Sequence, residues 1–149
     1  MSRACATLVL LLLAGCERFD FGYADGTSGR FADWSGRWVV INYWAEWCAP
    51  CRYEIPELNE LAVDSSADVL VVGVNYDGIT GEDLTRLIAR MGIEFTVMLV
   101  DPQSHFAYDR PSVLPTTVLI DPDGRVQEML VGPQTRDSLE GRMSVPAAM

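Results

Sequence analysis

The chain has 149 residues, 49% of them hydrophobic, with 21 acids against 11 basic residues and a net charge of −10. That length and apolar content suit one domain with a proper core. The acidic balance disfavours nucleic acid and anionic lipid headgroups as partners.

The chain opens on Met1-Ser2-Arg3, a short basic start, followed by an apolar stretch over residues 4–14 and then Gly15-Cys16. This is the shape of a secretory signal and is too short to span a bilayer as a helix. Leu13-Ala14-Gly15-Cys16 resembles the lipobox of bacterial lipoproteins. The resemblance implies cleavage before Cys16, acylation of Cys16 and loss of Cys5 with the leader; several acyl chains give a stable membrane anchor. The plainer alternative is an ordinary cleaved signal that leaves Cys16 as a free thiol. Removing residues 1–15 removes Arg3 and no acid, so ten arginines face 21 acids, a formal charge of −11. Beyond the leader and Cys16, the four cysteines reduce to Cys48 and Cys51. Exported domains often carry structural disulfides, but here one pair is available, which points to a functional pair and leaves stability to the core.

Residues 16–30 read as a tether, polar and Gly-rich, with a short apolar element at 19–21 leading into an edge strand or hairpin. Residues 31–36 read as a turn that docks Phe31 and Trp34. The domain proper is expected over 31–143, with 144–149 as a tail. Three near-continuous apolar runs, Trp38–Trp44, Val69–Asn75 and residues 96–100, follow the pattern of buried parallel strands. A helix is expected over 49–63, kinked at Pro56. A second begins at Thr80, a cap with Asp83 three positions on, carries the stripe Leu84, Leu87, Ile88 and Met91, and stops at Gly92. Residues 116–121 and 125–131 alternate like antiparallel strands across the turn Pro122-Asp123-Gly124. A short helix over 136–143 closes the chain. Strands alternating with helices, then a hairpin, give an α/β class with a mixed sheet.

Trp47-Cys48-Ala49-Pro50-Cys51 sits where a buried strand ends and a helix begins. A thiol there meets the positive end of the helix dipole and unpaired backbone N–H groups, which favour the thiolate. Pro50 suits a first helical turn, where its missing N–H costs nothing. Two intervening residues let the second sulfur swing back onto the first, which makes a reversible dithiol/disulfide.

With these residues in place, the chain resembles the TlpA/ResA-like branch of thioredoxin-fold thiol–disulfide oxidoreductases. Trp44-Ala45-Glu46-Trp47-Cys48-Ala49-Pro50-Cys51 departs from the thioredoxin motif at Ala49, where thioredoxin has glycine. Leu114-Pro115-Thr116-Thr117 matches the loop whose proline is cis in the family, and residues 80–100 match the helix and strand inserted by this branch. Asn42 also matches the branch; thioredoxin has a buried aspartate there. Glu54 matches the acid that follows the C-x-x-C in the ResA-like members.

The resemblance implies Cys48 as the nucleophile, exposed at the helix tip with a thiol pKa lowered from about 8.5 into roughly 3.5–7.5. Cys51 resolves the mixed disulfide. Glu54, at i+3 from Cys51, is the expected acid/base, its carboxyl raised towards neutrality by burial. Leu114, Pro115 and Thr116 are expected to bind an extended substrate peptide through the backbone, with Trp47 flanking the docking surface. Glu46 reads as a surface acid, Asn42 as a structural residue fixing nearby backbone, and His105 as a surface or capping histidine. The redox group is the Cys48–Cys51 pair itself, with no other cofactor and no metal: zinc fails on ligand count, since His105 is the sole histidine.

The expected function is a membrane-anchored, extracytoplasmic reductase of selected envelope proteins. The family implies cytochrome c maturation or metal-site assembly, with a membrane thiol reductase as electron donor. A disulfide donor or isomerase is the alternative. A thiol peroxidase would need a threonine and proline ahead of its cysteine, where Ala45-Glu46-Trp47 supplies neither. A Sco-like copper chaperone would have three residues between its cysteines and a placed histidine.

Overall fold

The computed structural model describes residues 19–64 and 68–144. The leader, Cys16 and the tail from 145 onward lie outside the described residues. Among the described residues no helix is long and apolar enough to cross a membrane.

The N-terminal segment forms a small antiparallel hairpin, β1 (Phe21–Gly22) with β2 (Ser28–Gly29), followed by a 3-10 turn at Phe31–Trp34. The central sheet is built from β3 (Trp38–Trp44), β4 (Val69–Asn75), β5 (Thr96–Met98), β6 (Thr116–Ile120) and β7 (Val126–Val131), in the order β5-β4-β3-β6-β7. The first three apolar runs are mutually parallel, as their unbroken hydrophobicity predicts; β6 and β7 return antiparallel. The helices are α1 (Cys51–Asp64), α2 (Gly81–Met91), the short α3 (Gln103–Phe106) and α4 (Arg136–Met143).

Alternation along each strand sorts side chains between two apolar clusters. Val40 and Trp44 of β3, Val71 of β4 and Leu119 of β6 join one cluster with Ile55, Leu58 and Leu61 of α1, Leu84, Leu87 and Met91 of α2, and Leu139 of α4. Val39, Ile41, Tyr43, Val72, Val74, Val118 and Ile120 face the other way, onto Phe21, Trp34, Phe31 and Phe106. Asn42 and Thr117 share the parity of Val40, Trp44 and Leu119, so both point towards α1.

Several elements differ from the sequence reading. The strand expected over 96–100 ends at Met98, because the N-terminal hairpin takes over the edge: Ala24 N–H donates to Val97 O at 2.8 Å and Leu99 N–H to Gly22 O at 3.0 Å. That covers one side of the sheet against pairing with other chains. Helix α1 starts at Cys51, not at Ala49: Ala49 and Pro50 lie in a tight turn whose carbonyls accept from Arg52 N–H (3.2 Å) and Tyr53 N–H (3.1 Å). The helix continues through Pro56 to Asp64. Thr80 occupies the cap position of α2 but makes no side-chain capping bond; Gly81, at a φ of +62°, turns the chain there instead. Gly92 ends α2 in the left-handed region as read, and Thr135 caps α4 by accepting from Ser138 N–H. In the closing hairpin Asp121 Oδ1 accepts from Asp123 and Arg125 N–H at 3.0 and 2.8 Å, which fixes the Pro122-Asp123-Gly124 turn.

Gly73 on β4 is where the core closes under Trp44. A Cβ there would lie 2.9 Å from Phe95 Cε2 and from Trp44 Nε1. Gly73→Ala should therefore destabilise the fold by about 1–3 kcal/mol through overpacking. Chemical denaturation checks this, with an unchanged m-value and a lower midpoint as the expected result.

Candidate active site

The end of β3 delivers Trp44 and Ala45 into the core, and the chain turns at Glu46-Trp47 before entering α1. Cys48 and Cys51 are joined by a disulfide, with Cα atoms 5.4 Å apart. Cys51 is fully buried. Cys48 is only 3% exposed, a correction to the exposed sulfur expected from its place at the helix tip. The cause is packing: both cysteines belong to the apolar cluster that holds Trp44, Ala45 and Ile55, with Leu114 against it. The Cys51 N–H, at the start of α1, points at Cys48 Sγ at 3.2 Å. That donor and the positive end of the helix dipole face Cys48 Sγ.

Glu54 lies one turn into α1 and is 1% exposed. Its Oε1 accepts from Asn42 Nδ2 at 2.5 Å, and its Oε2 accepts from the Gln134 backbone N–H at 3.0 Å. Burial pushes its carboxyl up from 4.5 to about 7, against the smaller opposing pull of the Gln134 and Asn42 donors. A carboxyl poised there exchanges protons near neutral pH. Asn42 thus binds the Glu54 side chain, where the sequence reading had it fixing nearby backbone. The signal available was a lone amide within an apolar strand, on the parity that faces the helix. Nothing in the local sequence marks the Gln134 N–H, which comes from the connection between β7 and α4.

The Leu114–Pro115 peptide bond is cis. Pro115 O accepts from Gly132 N–H at 2.9 Å, and Thr116 is buried between Tyr43 and Val131 in the sheet. The Thr116 hydroxyl donates to Val113 O at 2.8 Å and braces the loop. Leu114, half-buried, has neither its N–H nor its C=O hydrogen-bonded among the described residues. The loop's open backbone therefore resides at Leu114, with Thr116 engaged in the sheet.

Trp47 is 65% exposed, and its indole N–H is shared between the two carboxylate oxygens of Asp77 at 3.2 and 3.1 Å. Its ring meets Tyr76 edge-on, while the Arg110 guanidinium lies over Tyr76 at 4.2 Å from the ring centre. Asp77, Tyr76 and Arg110 were not singled out in the sequence; they come from segments remote in the chain. Glu46 is a surface acid as read, paired with Arg90 at 3.0 Å. His105 stacks on Phe31 at 3.8 Å between ring centres, on the opposite side of the sheet from α1.

Comparisons with known proteins agree with this geometry. A family model described as the AhpC/TSA family matches residues 16–129. The thiol–disulfide oxidoreductase ResA of Bacillus anthracis is 32% identical over 118 residues, covering 78% of this chain and 68% of that one. ResA of Bacillus subtilis (strain 168) is 33% identical over 126 residues, covering 81% and 69%. Among solved structures, a putative thiol:disulfide interchange protein DsbE from Chlorobium tepidum superposes with a TM-score of 0.65 at 31% identity, covering 83% of this chain and 88% of that chain. A disulfide at a helix N-terminus, on a mixed sheet shared with these relatives, makes the chain a member of the AhpC/TSA family and, within it, a ResA-like thioredoxin-fold thiol–disulfide oxidoreductase.

Proposed function

We propose that the protein reduces disulfides of selected envelope proteins, held to a membrane on its extracytoplasmic side by a lipidated Cys16 that follows cleavage of residues 1–15. Cys48 thiolate attacks a target disulfide, forming a Cys48–target bond and releasing one target thiolate. Cys51 then attacks Cys48, the Cys51–Cys48 bond forms, and the second target sulfur leaves reduced. Glu54 takes the Cys51 proton in that step and returns it when the pair is reduced again. Leu114 supplies backbone hydrogen bonds to an extended target segment, Pro115 and Thr116 hold that loop, and Trp47 flanks it. Reloading requires an electron donor, for which a membrane thiol reductase is the fitting class. Apocytochrome c thiols and metal-site thiols are the fitting targets.

The observation that carries this reading is the buried Cys48–Cys51 disulfide with a buried Glu54, raised to about 7, one turn along the same helix. It serves exchange in either direction, so the reduction potential decides. Redox titration of residues 17–149, followed by tryptophan fluorescence and thiol trapping, should give a value near or below about −250 mV. A value near about −120 mV would reverse the direction and make the protein a disulfide donor.

A further inference from the structure

Asn42 is the single amide side chain in an otherwise apolar strand, and none of its surface reaches solvent. Its Nδ2 donates in two directions, to Glu54 Oε1 at 2.5 Å and to Thr117 Oγ1 at 3.3 Å. Its buried Oδ1 has no partner among the described residues. A buried amide oxygen without a donor is costly, and an apolar side chain would avoid that cost. The residue is therefore held for the contacts it makes.

Glu54 has a complementary problem. Each of its oxygens faces an N–H donor, from Asn42 and from Gln134, an arrangement suited to the carboxylate. When Glu54 takes a proton, one oxygen becomes a donor itself. The Gln134 backbone N–H cannot become an acceptor; the Asn42 amide can. A half-turn of that amide exchanges Nδ2 and Oδ1 in place. Oδ1 then accepts from the Glu54 O–H and from the Thr117 hydroxyl, which donates or accepts according to its rotation. One amide atom is unpaired before the turn and one after it, so the reversal adds no unpaired group.

We propose that Asn42 is the positioning residue of Glu54: its amide donates to the carboxylate and, turned over with Thr117 as pivot, accepts from the neutral acid. Glu54 is thereby held in one place in both protonation states. The inference rests on the reading of Glu54 as proton acceptor for Cys51. In the resolving step the Cys51–Cys48 bond forms, the Cys48–target bond breaks with the electron pair leaving on the target sulfur, and the Cys51 proton passes to Glu54 as the amide turns.

Among the described residues Asn42 is the side-chain hydrogen-bond partner of Glu54, beside the Gln134 backbone N–H, and the titratable and charged groups on the elements packed about it are engaged elsewhere. On α1 they are Cys51 and Glu57, and Glu57 accepts the Arg136 N–H at 3.0 Å. On α4 the Arg136 guanidinium engages Glu140 at 2.8 Å. Strands β3 and β6 present the neutral Asn42 and Thr117, opposite each other in register.

NMR titration of the intact, oxidised protein tests this by following the Glu54 carboxyl carbon and the Asn42 side-chain amide together. The amide should titrate with the same midpoint as the carboxyl. In Asn42→Leu the Glu54 midpoint should rise by about one pH unit, roughly tenfold in proton affinity, because the carboxylate loses a charge-assisted donor. An amide that stays silent in the wild type through the Glu54 transition overturns the proposal, and that measurement needs no variant to fold. An unmoved Glu54 midpoint in a folded Asn42→Leu overturns it too. The underlying reading is tested apart, by the pH profile of mixed-disulfide resolution in Glu54→Gln. A profile unchanged by Glu54→Gln, with Asn42 still titrating alongside Glu54, keeps the positioning role and removes Glu54 from the exchange chemistry.

Discussion

Cys51→Ser should convert the protein into a trap: mixed with a peptide disulfide, it accumulates a covalent adduct through Cys48 and turns over roughly 10⁴-fold more slowly, or worse. The Cys48 sulfur keeps its place at the start of α1 and still faces the residue 51 N–H, so the first attack survives. What is lost is the internal thiol that expels the target. Cys48→Ser should abolish both adduct and turnover, because Cys51 is fully buried and has no route to a target. The double variant should be no worse than Cys48→Ser alone, since two members of one unit do not contribute additively. Mass spectrometry of quenched mixtures distinguishes the three. An adduct at residue 51 in Cys48→Ser would reverse the assignment of nucleophile.

The second large effect concerns Glu54→Gln and has two parts of different origin. Glu54 is raised in the fold from 4.5 to about 7 by burial. In the unfolded chain it ionises near its ordinary value, while in the fold it stays neutral until about pH 7. Its contribution to stability is therefore fully present below about pH 4.5 and is lost as pH rises through about 7. Over that window the wild type should lose about 3 kcal/mol relative to Glu54→Gln, which does not titrate. Above it the difference should be flat. Denaturant midpoints of the two proteins across pH 4 to about 8 check the sign; a gap closing in the opposite direction would mean that Glu54 is stabilised as a carboxylate. The kinetic part is separate. At pH 8 resolution of the mixed disulfide should slow by about 10²-fold in Glu54→Gln, and the inflection near 7 should vanish from its pH profile.

Much of this was legible because the sequence states some physics locally. Apolar runs without alternation read as the parallel strands β3 and β4, and the left-handed Gly92 ends α2 where its stripe ends. Cys48, Cys51 and Glu54 lie within seven residues, so the turn into α1 and its first helical turn keep them together, and the family resemblance marks Glu54 among the helix acids. The α1 start and the Thr80 cap were misread for local reasons, whereas strand β5 and Cys48 were misread because of contacts made by remote segments. The strand at 96–98 stops early because residues 22 and 24 capture its edge. Cys48 is covered because Leu114 and the strand cluster close over a helix tip that would be open in isolation. The Trp47–Asp77 bond and the Gln134 donor join positions 30 and 80 residues apart, respectively. No window along the chain contains either pair.

The coverage of Cys48 has a kinetic meaning for exchange with small thiols and disulfides. Exchange requires a sulfur to approach in line with the S–S bond. A disulfide 3% exposed at its outer cysteine gives a free small molecule little room for that approach. In the proposed docking mode, a target chain laid against Leu114 would gain backbone hydrogen bonds that hold its sulfur in place, an advantage no dissolved thiol has. Under that proposal the pair would be insulated from the redox buffer around it and coupled to partners that dock. Its oxidation state would then record which proteins it last met, while the composition of the surrounding solution would be read only slowly.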